Sequence, residues 1–207
     1  IKEAVIYSAL TGDTENISAV LRNNTEKFYD TLKCSDADML MDMIDGEYDM
    51  YCRFVKASCQ LKNGLFEKAM ESAKYLCDNA ERVDSRIDKV SFLMLRAEAE
   101  YSLFDRAKQY QTLTEAADML KAYNADTEIK IAVKCVRSLL FSGRRREAID
   151  MCAENITNAS VSGKYGYLNI FKLNMCLCRL VNNEPAKALA EYETIDFECI
   201  KNYSEIG

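Results

Sequence analysis

The chain has 207 residues, 49% of them hydrophobic, with 27 basic against 33 acidic side chains, a formal net charge of −6 and no histidine. That is enough apolar material for one elongated domain or two small ones, and the acidic balance excludes a general nucleic-acid binder, whose domain would be basic. Lack of imidazole removes Ser-His and Cys-His catalysis and the commonest metal ligand.

No apolar run nears the roughly 18 residues of a membrane span, and the start "IKEAVIYSALTGDTEN" lacks the charged-then-apolar pattern of a secretory leader. The chain therefore reads as soluble and intracellular. Opening on Ile1 and stopping at Gly207 just after a helical pattern, it also reads as a piece of a longer protein.

One proline and seven glycines cannot punctuate a protein of many short strands, so helices must dominate. The first 64 residues, with "TENISAVLRNNTEKFYDTL" and "DADMLMDMIDGEYDMY", read as amphipathic helices. There the cluster Met39, Met41, Met43 and Met50 is pliable core. Gly64 then separates "DMYCRFVKASCQLKN" from "LFEKAMESAKYLCDNA", and Phe104-Asp105 separates "SRIDKVSFLMLRAEAEYSL" from "RAKQYQTLTEAADMLKAY". Gly143 and Asn182-Asn183 divide the next two pairs in the same way, so each pair is predicted to be a helical hairpin.

The first helices of the last three pairs are expected near residues 86, 127 and 165, a repeat of about 40 residues. Their second helices share a pattern: "FEKAMESAKYL", "RREAIDMCAEN" and "PAKALAEYETI" each set a charged residue before Ala and an apolar residue after it. Small Ala at that place lets helices approach closely, as tetratricopeptide-type (TPR) repeats require. The period exceeds the roughly 34 residues of the ordinary repeat, and its Trp-Leu-Gly and final Pro positions are missing. The expected fold is all-α: a TPR-like right-handed solenoid of stacked antiparallel hairpins, one elongated domain over residues 1–207.

Templates for chemistry fail. "ASVSGKYG" follows Gly163-Lys164 with Tyr165 and lacks the upstream glycine of a phosphate loop. Acid pairs such as Asp42 with Asp45, or Glu98 with Glu100, read as solvated helix surface among so many carboxylates. Nine cysteines (34, 52, 59, 77, 135, 152, 176, 178 and 199) fall mostly at apolar helical positions and read as buried free thiols. Cys176-Leu177-Cys178 is a weak metal or thiol signature. Sequons at Asn16, Asn23, Asn155, Asn158 and Asn202 read as helix-end and surface asparagines. No cofactor, no metal and no catalysis are expected.

One local feature runs against the overall charge. "TEIKIAVKCVRSLLFSGRRREAID", residues 127–150, carries six basic side chains. Ile129, Ala132, Val133, Val136 and Leu140 share one helical face, while Lys130, Lys134 and Arg137 fall within about 60° of one another beside it. Arg144, Arg145 and Arg146 sit at the turn that follows. Further basic residues open the neighbouring repeats, Arg82, Arg86 and Lys89 before and Lys164 after. Stacked hairpins would align them into a row fit to grip an elongated acidic partner, although any surface helix also needs a polar face.

The last two hairpins resemble the soluble NSF attachment protein (SNAP) family. The matching residues are Lys130 and Lys134, "EAID" at 147–150, Asn158-Ala159, Lys164-Tyr165, "FK" at 171–172, Cys176, Ala188 and "YE" at 192–193. "EAADMLK" at 115–121 resembles the same family, and the likeness spans about residues 65–200, leaving 1–64 divergent. The resemblance implies a non-enzymatic adaptor in vesicle trafficking and membrane fusion. Such an adaptor sets a basic face against a SNARE four-helix bundle and recruits an NSF-type AAA ATPase to disassemble it. It would be cytoplasmic, would bind no nucleic acid, and would be peripheral to membranes only through partners. The family's SNARE-facing lysines carry over to Lys130, Lys134 and Lys164, with Arg137, Lys89 and Arg82 extending the face. The family's acidic, Leu-ending tail is not in these residues. The other reading is a generic TPR-like scaffold that holds a peptide or a subunit of a larger complex.

Overall fold

A computed structural model describes residues 1–44, 49–120 and 125–201. Asp45 and Asn202 lie outside the described residues. Among those described, all regular structure is helical, and successive helices pack against one another. Packing divides the chain into two compact units, Ile1–Leu120 and Lys121–Gly207.

The first unit starts with four short helices, α1 (Lys2–Thr11), α2 (Thr14–Leu21), α3 (Thr25–Thr31) and α4 (Cys34–Met43). Two hairpins follow: α5 (Met50–Lys62) with α6 (Phe66–Asp78), and α7 (Arg86–Ser102) with α8 (Arg106–Leu120). Side chains set the starts. Asp49 accepts from the Tyr51 and Cys52 amides ahead of α5, and Ser85 Oγ accepts from the Asp88 amide ahead of α7. Each satisfies a donor that the first helical turn leaves without a partner. Phe28, Phe54, Leu76, Phe92 and Leu95 are fully buried in the common core, and the Phe54 and Phe92 rings meet at 5.7 Å. Met50 joins this core and Met41 packs against it, whereas Met43 is exposed.

The second unit holds α9 (Ala125–Phe141), α10 (Arg145–Val161), α11 (Tyr165–Val181), α12 (Pro185–Tyr192) and the short α13 (Phe197–Lys201). Its helices α9, α10 and α11 pack pairwise, and α12 and α13 lie on α11. Pro185 occupies the first turn of α12, where its missing N–H costs no bond. Tyr167, Ile170 and Phe171 of α11 are buried with Val133 of α9 and Ala159 of α10.

One turn closes all four long hairpins. The amides of Leu65, Asp105, Arg144 and Glu184 donate to the carbonyls of Gln60, Glu100, Leu139 and Arg179, at 2.8–2.9 Å. This six-to-one bond is the Schellman arrangement, and it forces the residue before the donor into the left-handed region. Gly64 and Gly143 adopt it at φ 75° and 85° without strain, and Asn183 adopts it at 60°. In the α7–α8 turn the residue is Phe104, at φ 61° and 84% exposed. A bulky side chain there is strained and gains little burial, so Phe104→Asn is expected to stabilise the first unit by about 0.5–1 kcal/mol. A rise in the urea midpoint with an unchanged slope would verify it; a fall would mean that the aromatic ring is held by more than its backbone.

The alanines singled out by pattern are where close packing needs them. Ala69, Ala148 and Ala188 each stand fourth in their helix and are buried. In α8 the fourth residue is Gln109, also buried.

Candidate functional site

Six basic residues are candidates, and the structure places them in both units. Lys130, Lys134 and Arg137 lie on α9, and Lys164 immediately precedes α11. Arg82 and Lys89 belong to the first unit, in the short 3-10 turn Ala80–Arg82 and the first turns of α7.

The α9 stripe follows from what the rest of that helix must cover. Ile131, Val133, Cys135, Val136, Leu139 and Leu140 are buried and occupy most of its circumference. Steps of four, three and four residues then carry Lys130, Lys134, Arg137 and Phe141 along the remaining side. The three cations are half-buried, and Phe141 is exposed at the end of the helix. Lys130 and Lys134 also take part in interactions within the chain. Arg137 has a structural duty: its Nε donates to Asn174 Oδ1 at 3.2 Å, tying α9 to α11. Asn174 is itself buried and donates to the Ile170 carbonyl.

Lys164 is half-buried with its ammonium 5.8 Å from the centre of the Tyr167 ring. Structure therefore brings Lys130, Lys134 and Arg137 together on one stripe, and puts Lys164 in the same unit at the start of a helix that packs on α9. Of the arginines at the following turn, Arg144 pairs with Glu147 in two hydrogen bonds, so local charge balance claims it. In the first unit Lys89 is half-buried, while Arg82 is exposed and donates to the Tyr75 hydroxyl at 3.3 Å.

The acid pairs divide. Glu98 is half-buried, but Glu100 is 1% exposed, not solvated surface as its spacing implied. Arg96 Nε donates to Glu100 Oε1 at 3.0 Å, and Oε2 has no hydrogen-bond partner among the described residues. Burial follows from the place of Glu100 in α7, which packs against both α6 and α8.

The cysteines are free. Burial pushes the thiols of Cys59, Cys77 and Cys135 up to about 12, which keeps them protonated and poorly nucleophilic. Cys152 of α10 and Cys178 of α11 are interacting thiols inside the second unit, an interaction that raises the first and lowers the second. Both are fully buried. Among the described residues no three His, Cys, Asp or Glu side chains converge as metal ligands, and no helix is long and apolar enough to cross a membrane.

A fully buried carboxylate, Asp88, escaped the sequence reading. Its Oδ1 accepts from Thr25 Oγ1 at 2.7 Å, and its Oδ2 accepts from the Asn23 amide at 3.0 Å and the Tyr51 hydroxyl at 2.9 Å. Burial, and then the negative charge of Asp88, push the Tyr51 phenol up to about 12, so that it remains a donor. The only local signal was the spacing Ser85-x-x-Asp88, which announces a helix start and says nothing of α3 or α5.

Comparison with protein-family models, curated proteins and solved structures finds no match to this chain.

Proposed function

We propose that the chain is a non-enzymatic, TPR-like helical adaptor that binds an acidic, rod-like partner, a SNARE four-helix bundle, through the stripe Lys130, Lys134 and Arg137 with Lys164. The observation that carries this reading is the α9 stripe, cationic side chains on the side of an otherwise buried helix in a protein of net negative charge. The residue-by-residue likeness to the SNAP family across the same hairpins supports it. Lys89 and Arg82, in the first unit, are proposed as further contacts, recruitment of an NSF-type ATPase would follow from the same likeness, and any membrane association would be through the SNARE partner.

Each exposed ion pair contributes about 0.2–1 kcal/mol, so several must act together and binding must weaken with salt. In co-sedimentation with an assembled cytosolic SNARE bundle, Lys130→Glu with Lys134→Glu is expected to reduce low-salt affinity by about tenfold or more, as two attractions become repulsions. Equal binding by wild type and double mutant, or binding indifferent to salt, would exclude the basic stripe as the contact.

A second reading, a scaffold holding a partner helix by apolar contact, is favoured by one feature. Leu173 and Leu180 are exposed seven residues apart on α11, and Leu189 and Tyr192 of α12 are exposed as well. Salt-indifferent binding lost in Leu173→Glu with Leu180→Glu would select it.

A further inference from the structure

The charge of the chain is unevenly divided. Lys121–Gly207 holds 12 basic against 11 acidic residues, whereas Ile1–Leu120 holds 15 basic against 22 acidic. Both carboxylates that are buried among the described residues, Asp88 and Glu100, belong to the first unit. The excess of negative charge that would repel an acidic partner is therefore all in the first unit, and the second can meet such a partner.

Within the second unit, basic residues are densest at the turn between α9 and α10. Residues 137–150 carry Arg137, Arg144, Arg145 and Arg146 against Glu147 and Asp150, a net of two positive charges, and every residue from Phe141 to Glu147 is exposed. The cations of the α9 stripe are already engaged, Lys130 and Lys134 by interactions within the chain and Arg137 by Asn174. Arg144 is engaged by Glu147. Arg145 and Arg146, the first two residues of α10, differ: neither side chain has a hydrogen bond or ion pair among the described residues. Their place does not serve the helix, since its N-terminal end is the positive end of the dipole. Phe141, 52% exposed, ends the stripe four residues before Arg145.

The turn that carries these side chains is fixed. Ser142 Oγ donates to the Leu139 carbonyl at 3.0 Å, the Gly143 amide to the Leu140 carbonyl at 3.2 Å and the Arg144 amide to the Leu139 carbonyl at 2.9 Å. Anchors on a fixed turn lose little freedom on binding. Arginine and aromatic residues are also those whose truncation most often costs a complex its affinity, whereas lysine is depleted from interface centres.

We propose that the α9–α10 turn is the anchor of the partner surface. Phe141 packs on an apolar side chain of an acidic helical rod, Arg145 and Arg146 take the carboxylates that flank it, and Lys130 and Lys134 add a weaker, salt-screened attraction. The proposal rests on the adaptor reading and specifies its partner more closely, as a helix with acids on either side of an apolar residue.

The test measures binding of the full chain, by titration at two salt concentrations, to an assembled cytosolic SNARE bundle and separately to an alanine-based helical peptide with Glu residues flanking one Leu. Phe141→Ser, and Arg145→Gln with Arg146→Gln, are each expected to lower affinity for either probe about tenfold, against two- to threefold for Lys130→Gln with Lys134→Gln. Phe141→Leu should keep affinity within about threefold of wild type, which separates loss of contact from loss of folding. Replacing the peptide's Leu by Gln should weaken binding to wild type and leave binding to Phe141→Ser unchanged. Bundle binding retained at full strength by the turn variants would overturn the anchor and leave the adaptor reading standing. Turn-dependent binding of the peptide without binding of the bundle would keep the anchor and remove the SNARE bundle as its partner. Binding of neither probe would overturn both.

Discussion

Phe92→Ala is expected to destabilise the first unit by about 3–5 kcal/mol, the range for deleting a buried aromatic side chain that the surroundings cannot refill. Phe92 is fully buried on α7, against Phe54 of α5 and within a core reaching from Val5 to Ala99. The vacated volume is bordered by side chains from several helices that are fixed by their own packing, so collapse would have to move helices together. Chemical denaturation followed by helical circular dichroism would read the loss as a lowered midpoint. Phe92→Leu, which keeps most of the volume, should lose much less. Equal losses would mean that aromatic contact with Phe54, and not volume, dominates the site.

The second large effect is expected at Asp88, for a different physical reason. Asp88→Ala leaves the Asn23 amide, the Thr25 hydroxyl and the Tyr51 hydroxyl without their common acceptor in a buried place, at a cost of about 3 kcal/mol. Asp88→Asn separates hydrogen bonding from charge. Its amide oxygen can accept from Asn23 and Tyr51, while its NH₂ can donate to the Thr25 oxygen, which is able to accept. A cost of about 1 kcal/mol is therefore expected for Asn. If Asn were as damaging as Ala, the carboxylate charge itself would be the stabilising quantity.

Hairpin boundaries were legible because their signals are local. Gly64, Gly143 and Asn182-Asn183 mark left-handed positions that a helix cannot continue through, and the observed helices end within a residue or two of them. The boundary at Phe104-Asp105 was also legible, but the strain it stores was not, since a phenylalanine announces nothing about φ. Ala69, Ala148 and Ala188 could be found because the demand for a small residue recurs at one place in each second helix. Gln109 at the same place in α8 shows that the demand is not absolute.

The candidate site was legible only along single helices. Spacing put Lys130, Lys134 and Arg137 on one stripe, since three- and four-residue steps fix relative angles. That Arg137 reaches Asn174 on another helix could not be read, because no local rule relates residues 37 apart. Glu100 was misjudged for the same reason: its burial is decided by helices on either side of α7 and not by its neighbours in sequence.

The reach of Asp88 has a consequence for the order in which the molecule can be completed. Thr25 and Asn23 lie 63 and 65 residues before it, whereas each hairpin turn closes over a few neighbouring residues. During synthesis at about 5–20 residues per second, α2 to α5 would leave the ribosome several seconds before α7 could supply their shared acceptor. Until then the Asn23, Thr25 and Tyr51 donors must remain with water, and the early helices are a waiting assembly that α7 locks. A nascent chain halted before Asp88 emerges is expected to be open to proteolysis across α2–α5, and one halted after α8 emerges to be protected there.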